Sequence, residues 1–134
     1  MKEYPQIDFK ANQEKIKYLK FTKHSTEQFL KRLTIMYDKK IIKGRKWLKV
    51  ELDRLLLINS SELRHFETSK IIYELIIKSR HDIRLYIDKK YFFTYRVFCV
   101  GLEFVILPKS NSKNIVLTTN IRIGKKYNNE NFYL

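Results

Sequence analysis

The chain has 134 residues, 44% of them hydrophobic and 14% aromatic, with three glycines, two prolines and one cysteine. That length and composition point to one folded domain spanning 1–134, and they make disorder and a disulfide framework poor readings. Twenty-eight lysines and arginines against 14 acids give a net charge of +14, a field that attracts polyanions and makes nucleic acid the expected partner, with a lysine-rich background composition as the competing explanation.

Residues 1–17 are polar, carry Pro5 and hold no apolar signal-peptide core, so they read as an extended or loosely helical lead-in. No apolar stretch approaches the roughly 20 residues of a membrane span, so a cytoplasmic protein without membrane contact is expected. "KYLKF" reads as a short strand or turn. Ser25 with Gln28 three residues on forms a capping-box pattern for a helix starting near Thr26, and Phe29, Leu30, Leu33, Met36 and Tyr37 follow at helical spacing. "KKIIKGRKWLK", residues 39–49, holds six basic residues and no acid, interrupted by Gly44. A second helix is expected from about Arg45 to Ile58, with Leu48, Leu52, Leu55 and Leu56 inward and a stop at "NSS". Its basic first turn opposes the helix dipole, which favours a binding role for those charges.

"KIIYELIIKS" fits a helix or an alternating strand. The rest is β in character: β-branched and aromatic residues dominate "DIRLYID", "KYFFTYRVFCV", "LEFVILP" and "NIVLTTNIRI", separated by turn-like "DKK", Gly101 and "PKSNSKN". Cys99, with no second cysteine, is expected as a small buried hydrophobe. Strict alternation in the last strand puts Ile115, Leu117, Thr119, Ile121 and Ile123 on one face and Val116, Thr118, Asn120 and Arg122 on the other. The expected fold is therefore α+β, N-terminal helices packed on a C-terminal antiparallel sheet of at least four strands, with function on the polar sheet face.

A phosphate-binding loop, a dinucleotide-binding glycine pattern, zinc-ligand spacings and a nucleophile elbow are all missing from the sequence, and no cofactor is expected. Asp82, Asp88 and Glu103 match no two-metal nuclease spacing. Metal-free RNA cleavage requires a base for the ribose 2′-hydroxyl, an acid for the leaving oxygen and cations around the phosphorus. His24 at a helix start, His65 and His81 near the change from helix to sheet, and Arg84, Arg96 and Arg122 along strands supply those groups. All but Arg84 have a plainer alternative: a helix-start residue for His24, solvated loop residues for His65 and His81, solvent-side strand residues for Arg96 and Arg122.

Three stretches, "LKFTKHSTEQFLKRL", "IIYELIIKSRHDIRLYI" and "VLTTNIRIGKK", together resemble the superfamily of small metal-independent ribonucleases that includes RelE-type toxins, barnase, tRNA-cleaving colicin domains and EndoU-like enzymes. The first looks like the strand-to-helix histidine segment of several members, the second like paired strands bearing an arginine, the third like the last core strand with a basic exit. The resemblance implies His24 as acid or base, Arg84, Arg96 and Arg122 as phosphate or transition-state cations, Thr118 or Thr119 as the strand hydroxyl, and a toxin-like or phage-associated role with a neutralising protein partner.

Independently, Lys39, Lys40, Lys43, Arg45, Lys46 and Lys49 beside Trp47, with Lys125 and Lys126 after the last strand, form a candidate nucleic-acid-binding set: cations hold phosphates while the indole stacks on an unpaired base. The competing place for Trp47 is the core. The expected function is thus a metal-independent endoribonuclease. The alternatives are a non-enzymatic nucleic-acid-binding protein, or a small viral or plasmid protein that binds an acidic protein partner.

Overall fold

A computed structural model describes residues 2–7, 19–42, 46–78, 82–88, 92–108 and 114–121. Its elements, in chain order, are β1 (Lys2–Ile7), β2 (Leu19–Phe21), α1 (Lys23–Asp38), α2 (Lys46–Leu56), α3 (Ser61–Lys78), β3 (Asp82–Asp88), β4 (Phe92–Cys99), β5 (Leu102–Pro108) and β6 (Asn114–Ile121). One sheet runs in the order β1-β3-β4-β5-β6-β2. The fold is α+β, with three helices preceding four consecutive antiparallel strands, β3 to β6. Two further strands extend that sheet: β1 pairs antiparallel with β3, and β2 pairs parallel with β6. The stretch read as a lead-in therefore contributes an edge strand over residues 2–7. Among the described residues, no helix is long and apolar enough to cross a membrane.

Residues 70–78 of "KIIYELIIKS" fall in α3, and the reason is their burial pattern. Ile71, Ile72, Leu75 and Ile76 recur at one and four residues, so a helix turns all four toward the same side, and all four are buried. Leu48, Leu52 and Leu55 do the same on α2, and Phe29, Leu33 and Met36 on α1. They share one core with Val97, Cys99, Phe104, Ile106 and Val116 of the sheet. Cys99 is buried as expected. Leu56, expected inward, is 49% exposed, because one residue beyond Leu55 is a 100° turn away from the packed stripe.

Strict alternation fails in β6. Val105 pairs with Thr118 but Ile106 pairs with Val116, so Leu117 is an extra residue in the ladder. A bulge of this kind resets the pleat. Val116 and Thr119, expected on opposite faces, both face the helices: Val116 joins the core and the Thr119 hydroxyl bonds α1.

The turn between β4 and β5 has two residues, Val100 and Gly101, with φ of 50° and 79°. Positive φ at both central positions matches the twist of the strands, but a β-branched residue there is strained. Val100 is held because it is fully buried. Replacing Gly101 by valine puts a second branched residue in the left-handed region, and urea denaturation should show a loss of about 1–3 kcal/mol.

Candidate functional site: the seam between α1 and β6

α1 begins earlier than its capping-box pattern suggests. Thr22, not Ser25, is the N-cap: its hydroxyl oxygen accepts from the Ser25 backbone N–H at 3.0 Å. The reason is tertiary. The Thr22 hydroxyl proton is shared between the carbonyls of Val116 and Leu117 at 3.2 and 3.1 Å, and its backbone N–H donates to Val116 at 3.2 Å. The cap thus fastens the helix start to β6, and Ser25 becomes a buried helical residue whose hydroxyl donates back to the Thr22 carbonyl at 2.7 Å. Further along, the Thr119 hydroxyl donates to the Ser25 carbonyl at 3.1 Å, and Arg32 Nε donates to the Thr119 carbonyl at 2.9 Å. Substituting Thr22 by alanine removes both the cap and its β6 anchor, and a stability loss of about 1–2 kcal/mol is expected in chemical denaturation.

His24 stands exposed on the second residue of α1, with exposed Lys20 and Lys23 as its sequence neighbours. Its first turn carries no acid, so the start of α1 combines the positive end of the helix dipole with lysine charge. Residues 24, 28 and 32 are spaced four apart and form one ridge along α1. On it, the Gln28 amide oxygen is buried with no hydrogen-bond partner among the described residues.

His65 is helical, on α3, and hydrogen-bonded to α1. Thr26 Oγ1 lies 2.8 Å from His65 Nδ1 and donates to the Lys23 carbonyl at 3.0 Å. Which of the two donates follows from the His65 tautomer, since a neutral imidazole nitrogen either gives or takes a proton. Beside it, Arg64 bonds Glu27 at 3.2 Å and the Ile58 carbonyl at 3.0 Å.

The opposite face of the sheet holds a second polar group. Arg96 donates to Glu103 Oε1 at 3.4 Å and to Thr94 Oγ1 at 3.3 Å, and Asn120 donates to the same Glu103 oxygen at 3.4 Å. Thr94, Arg96 and Glu103 are buried, along with Phe98 and Val105, which the pleat turns away from the helix-side core. Arg84 is the register partner of Arg96, and Thr118 lies in the same row through Val105.

His24 and Arg96 are not brought together. The helix start adjoins β2 at the sheet edge, three strand spacings from β4, roughly 14 Å, and Arg96 faces the other side. Thr119 belongs to the His24 seam and Thr118 to the Arg96 face. Arg122, His81, Lys43, Arg45, Lys125 and Lys126 lie outside the described residues. Sequence reasoning missed Arg32, Thr22 and Glu103. The spacing of four from His24 through Gln28 to Arg32 was the signal available for the first.

Of the basic set, Lys39, Lys40, Lys46 and Lys49 are exposed, and Trp47 is 40% exposed and not a core residue. Lys49 bonds Asp53 at 3.0 Å and lies 5.4 Å from the centre of the Tyr37 ring, which sets the start of α2 beside the end of α1. In the groove between α2 and α3, Arg54 pairs with Glu51 and Glu67, and Lys70 pairs with Glu67. There a hydrogen bond from Lys70, opposed by desolvation and reinforced by Arg54, holds the Glu67 carboxyl below its ordinary range. No family model, curated protein or solved structure matches this chain.

Proposed function

We propose that this chain is a metal-independent endoribonuclease-like protein acting on RNA at the seam of α1 and β6, with His24 as its acid or base. One observation carries the reading. The histidine segment and the last strand, which separately resemble parts of small ribonucleases and lie 94 residues apart, are hydrogen-bonded to each other through Thr22, Ser25 and Thr119. In the reaction, the ribose 2′-oxygen forms a bond to phosphorus as its proton passes to a base. The bond to the 5′-oxygen breaks and that oxygen takes a proton, leaving a 2′,3′-cyclic phosphate. An exposed imidazole directly after Lys23, and four residues after Lys20, suits one of these transfers, with the lysines offsetting phosphate charge.

The test is incubation of purified protein with RNA in EDTA, reading the product ends. Cleavage to cyclic phosphate is expected, falling by about 10²–10⁴ in His24→Ala, the usual contribution of a positioned acid or base. Intact RNA, or full activity in the variant, would remove His24 from the chemistry.

A second reading, nucleic-acid binding without catalysis, is favoured by the exposed indole of Trp47 between Lys46 and Lys49. If that ridge holds single strands, Trp47→Ala should weaken oligonucleotide binding by about 1–3 kcal/mol, one stacked base. An unchanged anisotropy titration would exclude the ridge.

A further inference from the structure

Four arginines have described side chains, and three of them are matched by carboxylates: Arg54 by Glu51 and Glu67, Arg64 by Glu27, Arg96 by Glu103. Arg32 is the exception among the described residues. It is half-buried, and among the described residues its side chain hydrogen-bonds through Nε alone, to the Thr119 carbonyl at 2.9 Å. A neutral carbonyl holds the plane of the guanidinium without cancelling its charge, and it leaves the two terminal nitrogens with four N–H donors in a fixed fork. Arg32 also lies on the ridge of His24 and Gln28, beside the strand to which the helix start is fastened.

We infer that Arg32 is the phosphate-gripping residue of the α1–β6 seam: its fork, oriented by Thr119, binds one phosphodiester of single-stranded RNA on the ridge that carries His24. The identity of the ligand rests on the ribonuclease reading; the anion site itself rests on the geometry of Arg32. The Thr119 carbonyl fixes the plane of the guanidinium, and that alignment is what two parallel N–H···O bonds to one phosphate require. The preceding residue, Lys31, is exposed and lines a different groove, against Leu56 and Arg64. It therefore serves as a matched charge control.

The experiment uses the full chain and a 2′-O-methyl RNA oligonucleotide, which binds but cannot be cleaved, with fluorescence anisotropy at several salt concentrations. Arg32→Gln should bind about tenfold more weakly, with the slope of log K against log salt reduced by about 0.7, one single-strand phosphate contact. Lys31→Gln should change affinity about twofold or less. Arg32→Lys should recover the slope but only part of the affinity, since an ammonium keeps charge and loses the fork. Thermal melts confirm folding, and should the glutamine variant unfold, the lysine variant carries the test. Equal weakening by Arg32→Gln and Lys31→Gln, full recovery in Arg32→Lys, or a wild type that does not bind the oligonucleotide would each overturn the inference. If Arg32 governs binding while unmodified RNA stays intact in EDTA, the phosphate site stands and the ribonuclease reading falls.

Discussion

Glu103→Ala should destabilise the fold by about 3–5 kcal/mol, the cost of removing one partner from a buried ion pair. The Arg96 and Glu103 side chains are 7% and 5% exposed, and the carboxylate oxygen that faces Arg96 also accepts from Asn120. Deleting it takes away a negative charge that offsets the buried Arg96 guanidinium, as well as the acceptor for the Asn120 amide. The pair itself contributes far less than this loss implies, because desolvating both ions offsets most of their attraction. Replacing both residues together, Arg96→Met with Glu103→Leu, should therefore leave stability within about 1–2 kcal/mol of wild type. Urea denaturation of the two single variants and the double variant gives the comparison. A loss below about 1 kcal/mol in Glu103→Ala is what a solvated pair would show, and it would mean that RNA can reach the Arg96 face.

Phe104→Ala should cost about 3–5 kcal/mol, the range for a fully buried aromatic whose cavity does not collapse. Phe104 is 0% exposed on β5, opposite Thr119, and its ring stacks on Phe29 of α1 with centroids 6.2 Å apart and planes 29° from parallel. This pair is the apolar counterpart of the hydrogen bonds along the seam, since both fasten α1 to the sheet. A double-mutant cycle using Phe29→Leu and Phe104→Leu should return a coupling of about 0.5–1.5 kcal/mol. Additive losses in denaturation would show that the rings fill volume without interacting. For His24 the two effects separate cleanly: it is exposed, so His24→Ala should leave the denaturation midpoint nearly unchanged while cleavage falls, whereas Phe104→Ala should lower the midpoint first.

Periodicity carried much of this architecture in advance. The helical spacing of Phe29, Leu33 and Met36, and of Leu48, Leu52 and Leu55, marks two amphipathic helices, and the β-branched runs after residue 81 mark the strands that became β3 to β6. These patterns are readable because a helix or strand buries one face of its own residues whatever its neighbours are. The +14 charge is likewise a property of composition alone.

What tertiary structure decided has a common cause: each case depends on a partner distant in the chain. Residues 70–78 are helical because Ile71, Ile72, Leu75 and Ile76 all meet the shared core. Thr22 displaces Ser25 as the cap because β6, 94 residues away, offers carbonyls to its hydroxyl. The bulge at Leu117 is set by the register with β5, and it moves Val116 and Thr119 to one face. Arg96 reads as a strand cation in one dimension and becomes half of a buried pair only when β5 sets Glu103 beside it. Arg32, one basic residue among 28, is distinguished from the rest only when β6 turns the Thr119 carbonyl toward it and leaves its fork unmatched by any carboxylate among the described residues. Local pattern determines which face of an element is apolar, but hydrogen-bond partners and charge compensation are set by the packing of one element against another.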